Sequence, residues 1–127
     1  MESEQKRKIN SFTDLVVWQE GHLLVLDIYK FSELFPQKEI FGLTNQIRRA
    51  AVSITSNISE GFSRQSIKEK VQFYYIAKGS LTEVQNQLLI ARDVGFLKKD
   101  DFRILSDRSI TVGKLLTGFI KKTKTFS

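Results

Sequence analysis

The stretch Gly42–Gly61, GLTNQIRRAAVSITSNISEG, constrains the fold more than any other part of the chain. Leu43, Ile47, Ala50, Ala51, Ile54 and Ile58 recur at intervals of three and four, which places them on one face of a helix. Gln46, Arg49, Ser53, Asn57 and Glu60 recur at the same spacing on a neighbouring face. A solvated helix face usually carries interchangeable glutamate and lysine, whereas this one carries an ordered series of amide, guanidinium, hydroxyl, amide and carboxylate. Groups removed from water need partners, so the stripe is expected to form a buried or interfacial polar network. Gly61 is expected to end the helix as a C-terminal glycine. Glu60 beside it faces the negative end of the helix dipole, which calls for a partner such as Arg64 or the amides opening the next helix. A solvated glutamate is the alternative.

The rest of the chain supplies three more helical segments. One proline and seven glycines leave long stretches without a break, which favours helices over a many-turned β fold. Thr13 or Asp14 can cap a first helix running to about Leu34, and Pro36 ends it. That helix carries two apolar stripes, one with Leu15, Trp18, His22, Val25 and Tyr29, the other with Val17, Leu24, Ile28, Phe31 and Phe35. Two apolar sides imply packing on two sides, in the core and against another subunit. Ser66 and Glu69 form a capping box that opens a third helix, which runs to about Val94 and stops at Gly95. Ile76, Ser80, Glu83 and Gln87 form a stripe on it that turns polar. Asp100 and Asp101 suit the first turn of a fourth helix ending near Lys122. Residues 1–10 read as a disordered tail, 11–122 as one four-helix domain and 123–127 as a frayed end. Short links make the expected architecture all-α, an antiparallel up-down-up-down four-helix bundle. Pairing helices two and three outward from their link sets Ser80 and Glu83 level with Gln46 and Arg49, so Arg49 and Glu83 are expected to pair.

Charge narrows the partner classes. The net charge is +6, unevenly spread. The ends, with Lys6, Arg7, Lys8, Lys121, Lys122 and Lys124, carry +4, residues 9–40 carry −3 and residues 41–79 carry +4. Such segregation suits subunit contacts or polyanion binding, and a chance distribution is the alternative. In the middle segment Arg48, Arg64, Lys68, Lys70 and Lys78 are the candidate phosphate-binding residues. No set of donors for reading base edges is visible, so any such binding is expected to be sequence-tolerant.

Much chemistry is excluded. Cysteine is absent and histidine occurs once, which leaves neither a disulfide framework nor an ordinary zinc site. There is no phosphate-binding glycine loop, no nucleophile elbow and no HExxH. No catalytic residue, metal or cofactor is therefore expected. His22 reads as a packing or interface residue, and Trp18 as a core anchor rather than a base-stacking platform. The opening MESEQKRKIN lacks an apolar signal core, and no apolar run reaches membrane-spanning length, so a cytoplasmic protein away from membranes is expected.

Three blocks carry a resemblance to a known family: FTDLVVWQEGHLL, FPQKEIFGLTNQIRRAAVSITSNISEG and FYYIAKGSLTEVQNQLLIARDVGFL. From about Phe12 to Lys122 the chain resembles the four-helix-bundle 23S rRNA-intervening-sequence proteins. It is also similar to their relatives, the accessory variability proteins of diversity-generating retroelements. The matching positions are Gln46, Arg48, Arg49, Ser53, Asn57, Glu60, Gly61, Ser80 and Glu83. Thr55 stands where many members carry proline and Ser59 where alanine is common, both expected to be tolerated at a helix surface. The resemblance implies a ring-shaped homo-oligomer, usually a pentamer, and no enzymatic activity. For the retroelement relatives it implies a basic surface that binds nucleic acid and a reverse transcriptase. Two functions are thus expected to compete: electrostatic binding of RNA or DNA, or a scaffolding oligomer that binds a protein partner such as a reverse transcriptase.

Overall fold

A computed structural model describes residues 8–126. Four helices make up most of the described residues, and no strand occurs among them: α1 Val16–Ser32, α2 Leu43–Ser63, α3 Ile67–Asp93 and α4 Lys99–Lys124. Two single-turn 3₁₀ segments, Phe12–Asp14 and Gln37–Glu39, precede α1 and α2. Helix α1 packs on α2 and α4, and α3 packs on α2 and α4, so the four enclose one core. Leu24 and Ile28 from α1, Ile54 and Ile58 from α2, Val84 and Leu88 from α3, and Val112 and Leu116 from α4 are all buried. The three-and-four spacing read from the sequence therefore faces that core. The expected disorder of residues 1–10 falls largely outside the described residues.

The helix ends follow local chemistry, with three departures from expectation, and a fourth departure lies within α2. Neither Thr13 nor Asp14 caps α1. Asp14 instead closes a capping box on the preceding 3₁₀ turn, accepting from the amides of Asn10 at 2.9 Å and Ser11 at 3.1 Å. Helix α2 runs past Gly61 to Ser63, and Gly61 is buried inside it. A methyl group at Gly61 would lie 2.6 Å from Cε1 and 2.9 Å from Cδ1 of Tyr74, so this glycine permits a close approach of α3 rather than a left-handed cap. Thr55 is buried, not on the surface. Helix α4 continues to Lys124, because Thr123 is buried and donates to the Phe119 carbonyl at 2.7 Å.

Other ends match. The Ser66 hydroxyl accepts from the Glu69 amide at 3.1 Å and opens α3. Gly95, with φ of 85°, closes it: its amide donates to the Arg92 carbonyl and the Phe96 amide to that of Ala91. These are the two bonds of a Schellman motif, which needs a left-handed residue and therefore favours glycine. The Glu39 carboxylate, unnoticed in the sequence, accepts from the Leu43 amide at 3.1 Å and so serves a free donor at the start of α2.

Candidate nucleic-acid interface

The five expected phosphate-binding residues divide into two groups. The Arg48 guanidinium donates from Nε to the Ser32 hydroxyl at 2.8 Å, pairs with Glu33 at 3.3 Å and lies 4.8 Å from the Tyr29 ring centroid. Arg64 pairs with Glu60 at 2.8 Å and lies 4.8 Å from the Phe73 ring. The Lys70 ammonium donates to the Phe62 carbonyl at 2.7 Å, neutralising a free carbonyl at the end of α2. All three are partly buried, and their charges are engaged within the chain. Of the five, only Lys68 and Lys78 are exposed, with ammonium groups that make no hydrogen bond or ion pair among the described residues.

The acidic segment is likewise consumed within the chain. Asp14 and Glu39 hold backbone amides, Glu33 meets Arg48, and Asp27 and Glu20 lie 2.8 and 3.7 Å from the Arg108 guanidinium of α4. Every acid from Asp14 to Glu39 thus has an intrachain partner, so the charge segregation seen in the sequence serves the packing of α1 against α2 and α4.

Part of the unspent positive charge lies on the second half of α4. Lys114, Lys121 and Lys122 are exposed, their ammonium groups make no hydrogen bond or ion pair among the described residues, and no acidic residue follows Asp107. Lys124 donates to the Tyr75 hydroxyl on α3 and lies 4.9 Å from that ring, joining the last turn of α4 to the helix that carries Lys68 and Lys78. The absence of acids after Asp107 is legible in the sequence, and Lys114 could have been named from it. Lys6 and Arg7 lie outside the described residues.

The polar network forms in part. The Ser53 and Ser80 hydroxyls share a hydrogen bond at 2.8 Å across α2 and α3, and the Asn57 amide donates to the Ser53 hydroxyl at 3.0 Å. Glu60 finds Arg64, as the helix-dipole argument anticipated, and Glu83 accepts from Gln87 at 3.4 Å. The expected Arg49–Glu83 pair is not made: both side chains are exposed and line one groove with Gln46, Ser53 and Phe41, without an ion pair between them. The side chains reach water there, so no desolvation forces them together. Trp18 is half-buried and packs on the core, with Phe12 edge-on at 5.4 Å and His22 stacked at 4.7 Å. Among the described residues, no three His, Cys, Asp or Glu side chains are grouped to hold a metal ion.

The comparisons with known proteins agree with this architecture. The family model described as 23S rRNA-intervening sequence protein matches residues 13–118. The chain belongs to that family. A solved structure from Bacteroides thetaiotaomicron, a protein of unknown function from the S23 ribosomal protein family, superposes with a TM-score of 0.78 at 22% identity. That likeness covers 84% of this chain and 96% of the other, and it is a likeness of fold. No curated protein matches significantly. The family is one of small helical proteins without a known enzymatic activity, and no helix among the described residues is long and apolar enough to cross a membrane.

Proposed function

We propose that this family member is a non-enzymatic, antiparallel up-down-up-down bundle that assembles as a homopentameric ring and binds RNA or DNA through phosphates. The observation that carries the binding is the set of exposed lysines on α4 whose ammonium groups have no partner among the described residues, Lys114, Lys121 and Lys122, together with Lys68 and Lys78 on α3. Mobile ammonium groups free of intrachain acids can replace the counterions around a polyanion, and a ring multiplies their number. Arg48, Arg64 and Lys70 shape the surface without being its main contacts. The antiparallel arrangement is supported by the pairing of Gly61 with Tyr74 and of Ser53 with Ser80. Assembly is supported by side chains that a single chain leaves uncovered: Phe41 is 92% exposed beside the Arg49 groove, and Val16, Leu23 and Leu26 are exposed on α1. The number five follows the family resemblance. A cytoplasmic setting suits a nucleic-acid partner.

Fluorescence anisotropy of a labelled RNA and of a labelled duplex DNA, with light scattering on the same sample, tests the reading. Binding should weaken steeply with salt, and each phosphate contact removed should lower the slope by about 0.7–0.9. Reversing Lys114, Lys121 and Lys122 to glutamate should remove most of the binding, and neutralising Arg48 should change it little. Absence of binding by the intact protein at about 50 mM salt would refute the electrostatic site. Assembly without nucleic-acid affinity would favour the scaffolding reading, with the Phe41 groove as a site for a protein partner.

A further inference from the structure

At the end of the bundle where α1 begins and α4 finishes, α2, α3 and α4 enclose an open cavity of about 510 Å³. Its walls are mainly apolar and aromatic, with Phe62, Tyr74, Phe119 and Phe126 among them. This volume lies within the range of small-molecule sites, about 300–1,000 Å³. Tyr74 is only 1% exposed and lines this cavity, and its hydroxyl has no hydrogen-bond partner among the described residues. A buried phenol ordinarily finds a partner. Its ring is fixed between the Gly61 backbone and Phe119, whose centroid is 4.7 Å away, so it cannot swing out to seek one. Burial pushes its pKa up to about 12, so the group is a neutral donor at physiological pH. Two ammonium groups, Lys70 and Lys122, share the lining with one carboxylate, Asp14. Lys70 is engaged with the Phe62 carbonyl, and Asp14 is held by two backbone amides, while the Lys122 ammonium makes no hydrogen bond or ion pair among the described residues.

We propose that this cavity binds a small amphipathic carboxylate, its apolar body among the aromatic rings and its head group between Lys122 and the Tyr74 hydroxyl. An apolar body suits the walls, an anion suits the excess of ammonium over carboxylate, and an acceptor supplies what the Tyr74 phenol lacks. The site is separate from the phosphate-binding surface except at Lys122, so Tyr74 and Phe126 are the informative positions.

Isothermal titration calorimetry of the full-length assembled protein with decanoate and with 4-phenylbutyrate tests this, with decyltrimethylammonium as the charge-reversed control. Saturable binding of at least one carboxylate, with a negative heat-capacity change, is expected, together with much weaker binding of the cation. Tyr74→Phe keeps the ring and loses the donor; it should weaken binding by about threefold to tenfold while leaving RNA affinity unchanged. Phe126 is 70% exposed, so Phe126→Asp should fold normally and reduce carboxylate binding by at least about tenfold through the added anion. No saturable binding of either carboxylate, equal binding of the cation, or affinity unchanged in both variants would each overturn the proposal, including the case in which a second copy of the chain fills the cavity.

Discussion

Replacing Gly61 by alanine separates two roles a glycine near a helix end can play. Inside α2, alanine is the better residue by about 1 kcal/mol, because glycine loses more backbone freedom on folding. Against that gain stands a methyl group placed 2.6 Å and 2.9 Å from two ring carbons of Tyr74 and 3.0 Å from the Phe73 Cβ. Real Cβ atoms do not approach so closely. Tyr74 is buried and backed by Phe119, so relief requires α2 and α3 to separate. Overpacking of this kind costs about 1–3 kcal/mol, and three simultaneous contacts argue for the upper end. The net loss is then about 2 kcal/mol, or a fall of about 1 M in the urea midpoint for an m-value near 2 kcal/mol per M. Gly79→Ala is the internal control. A methyl there meets nothing within 4 Å, so it should raise stability by about 0.5–1 kcal/mol. Urea denaturation followed by circular dichroism, at one fixed protein concentration, reads both. Gly61→Ala combined with Tyr74→Leu should lose less than the two changes separately, since the shortened side chain makes room for the methyl. If Gly61→Ala proves as stabilising as Gly79→Ala, or if the pair is strictly additive, the close-approach argument is wrong.

Two further outcomes follow from named groups. The Tyr74 phenol titrates near 10 in an unfolded chain and near 12 when buried, so the unfolded state loses its proton first. The stability tied to this group is complete below pH 10 and lost as pH rises to 12; denaturation midpoints across that window should fall less in Tyr74→Phe than in the parent. Gly95→Ala forces a side chain to φ of 85° and should cost about 1–2 kcal/mol, measured by thermal unfolding, although no neighbouring atom is within 4 Å of the added methyl. A neutral Gly95→Ala would mean that α3 can end without the left-handed residue.

Periodicity alone determined the four helices, their core faces and most of their ends. Those depend on interactions between residues a few positions apart: Ser66 with the Glu69 amide, Gly95 with the carbonyls of Arg92 and Ala91, Ile54 and Ile58 on one face. The same locality made Glu60 and Arg64 legible, since they are one turn apart on the chain. What only the tertiary structure decided is how each polar or small residue is used. Gly61 reads as a cap until Tyr74, thirteen positions later, is seen against it. Arg48 reads as a free cation until Ser32, the last residue of α1, and Glu33 just after it are brought to it. Arg49 and Glu83 stand at matching heights, yet matching height leaves both in water and unpaired. The α4 lysines Lys114, Lys121 and Lys122 are free cations among the described residues because the acids that could pair with them are absent after Asp107 and those from Asp14 to Glu39 have other partners. The cavity beside Tyr74 needs α2, α3 and both ends of the chain at once, and no local pattern encodes such a meeting. Helix formation depends on neighbours within one or two turns, whereas the state of a charge or a buried hydroxyl depends on whatever distant groups folding brings within about 4 Å of it.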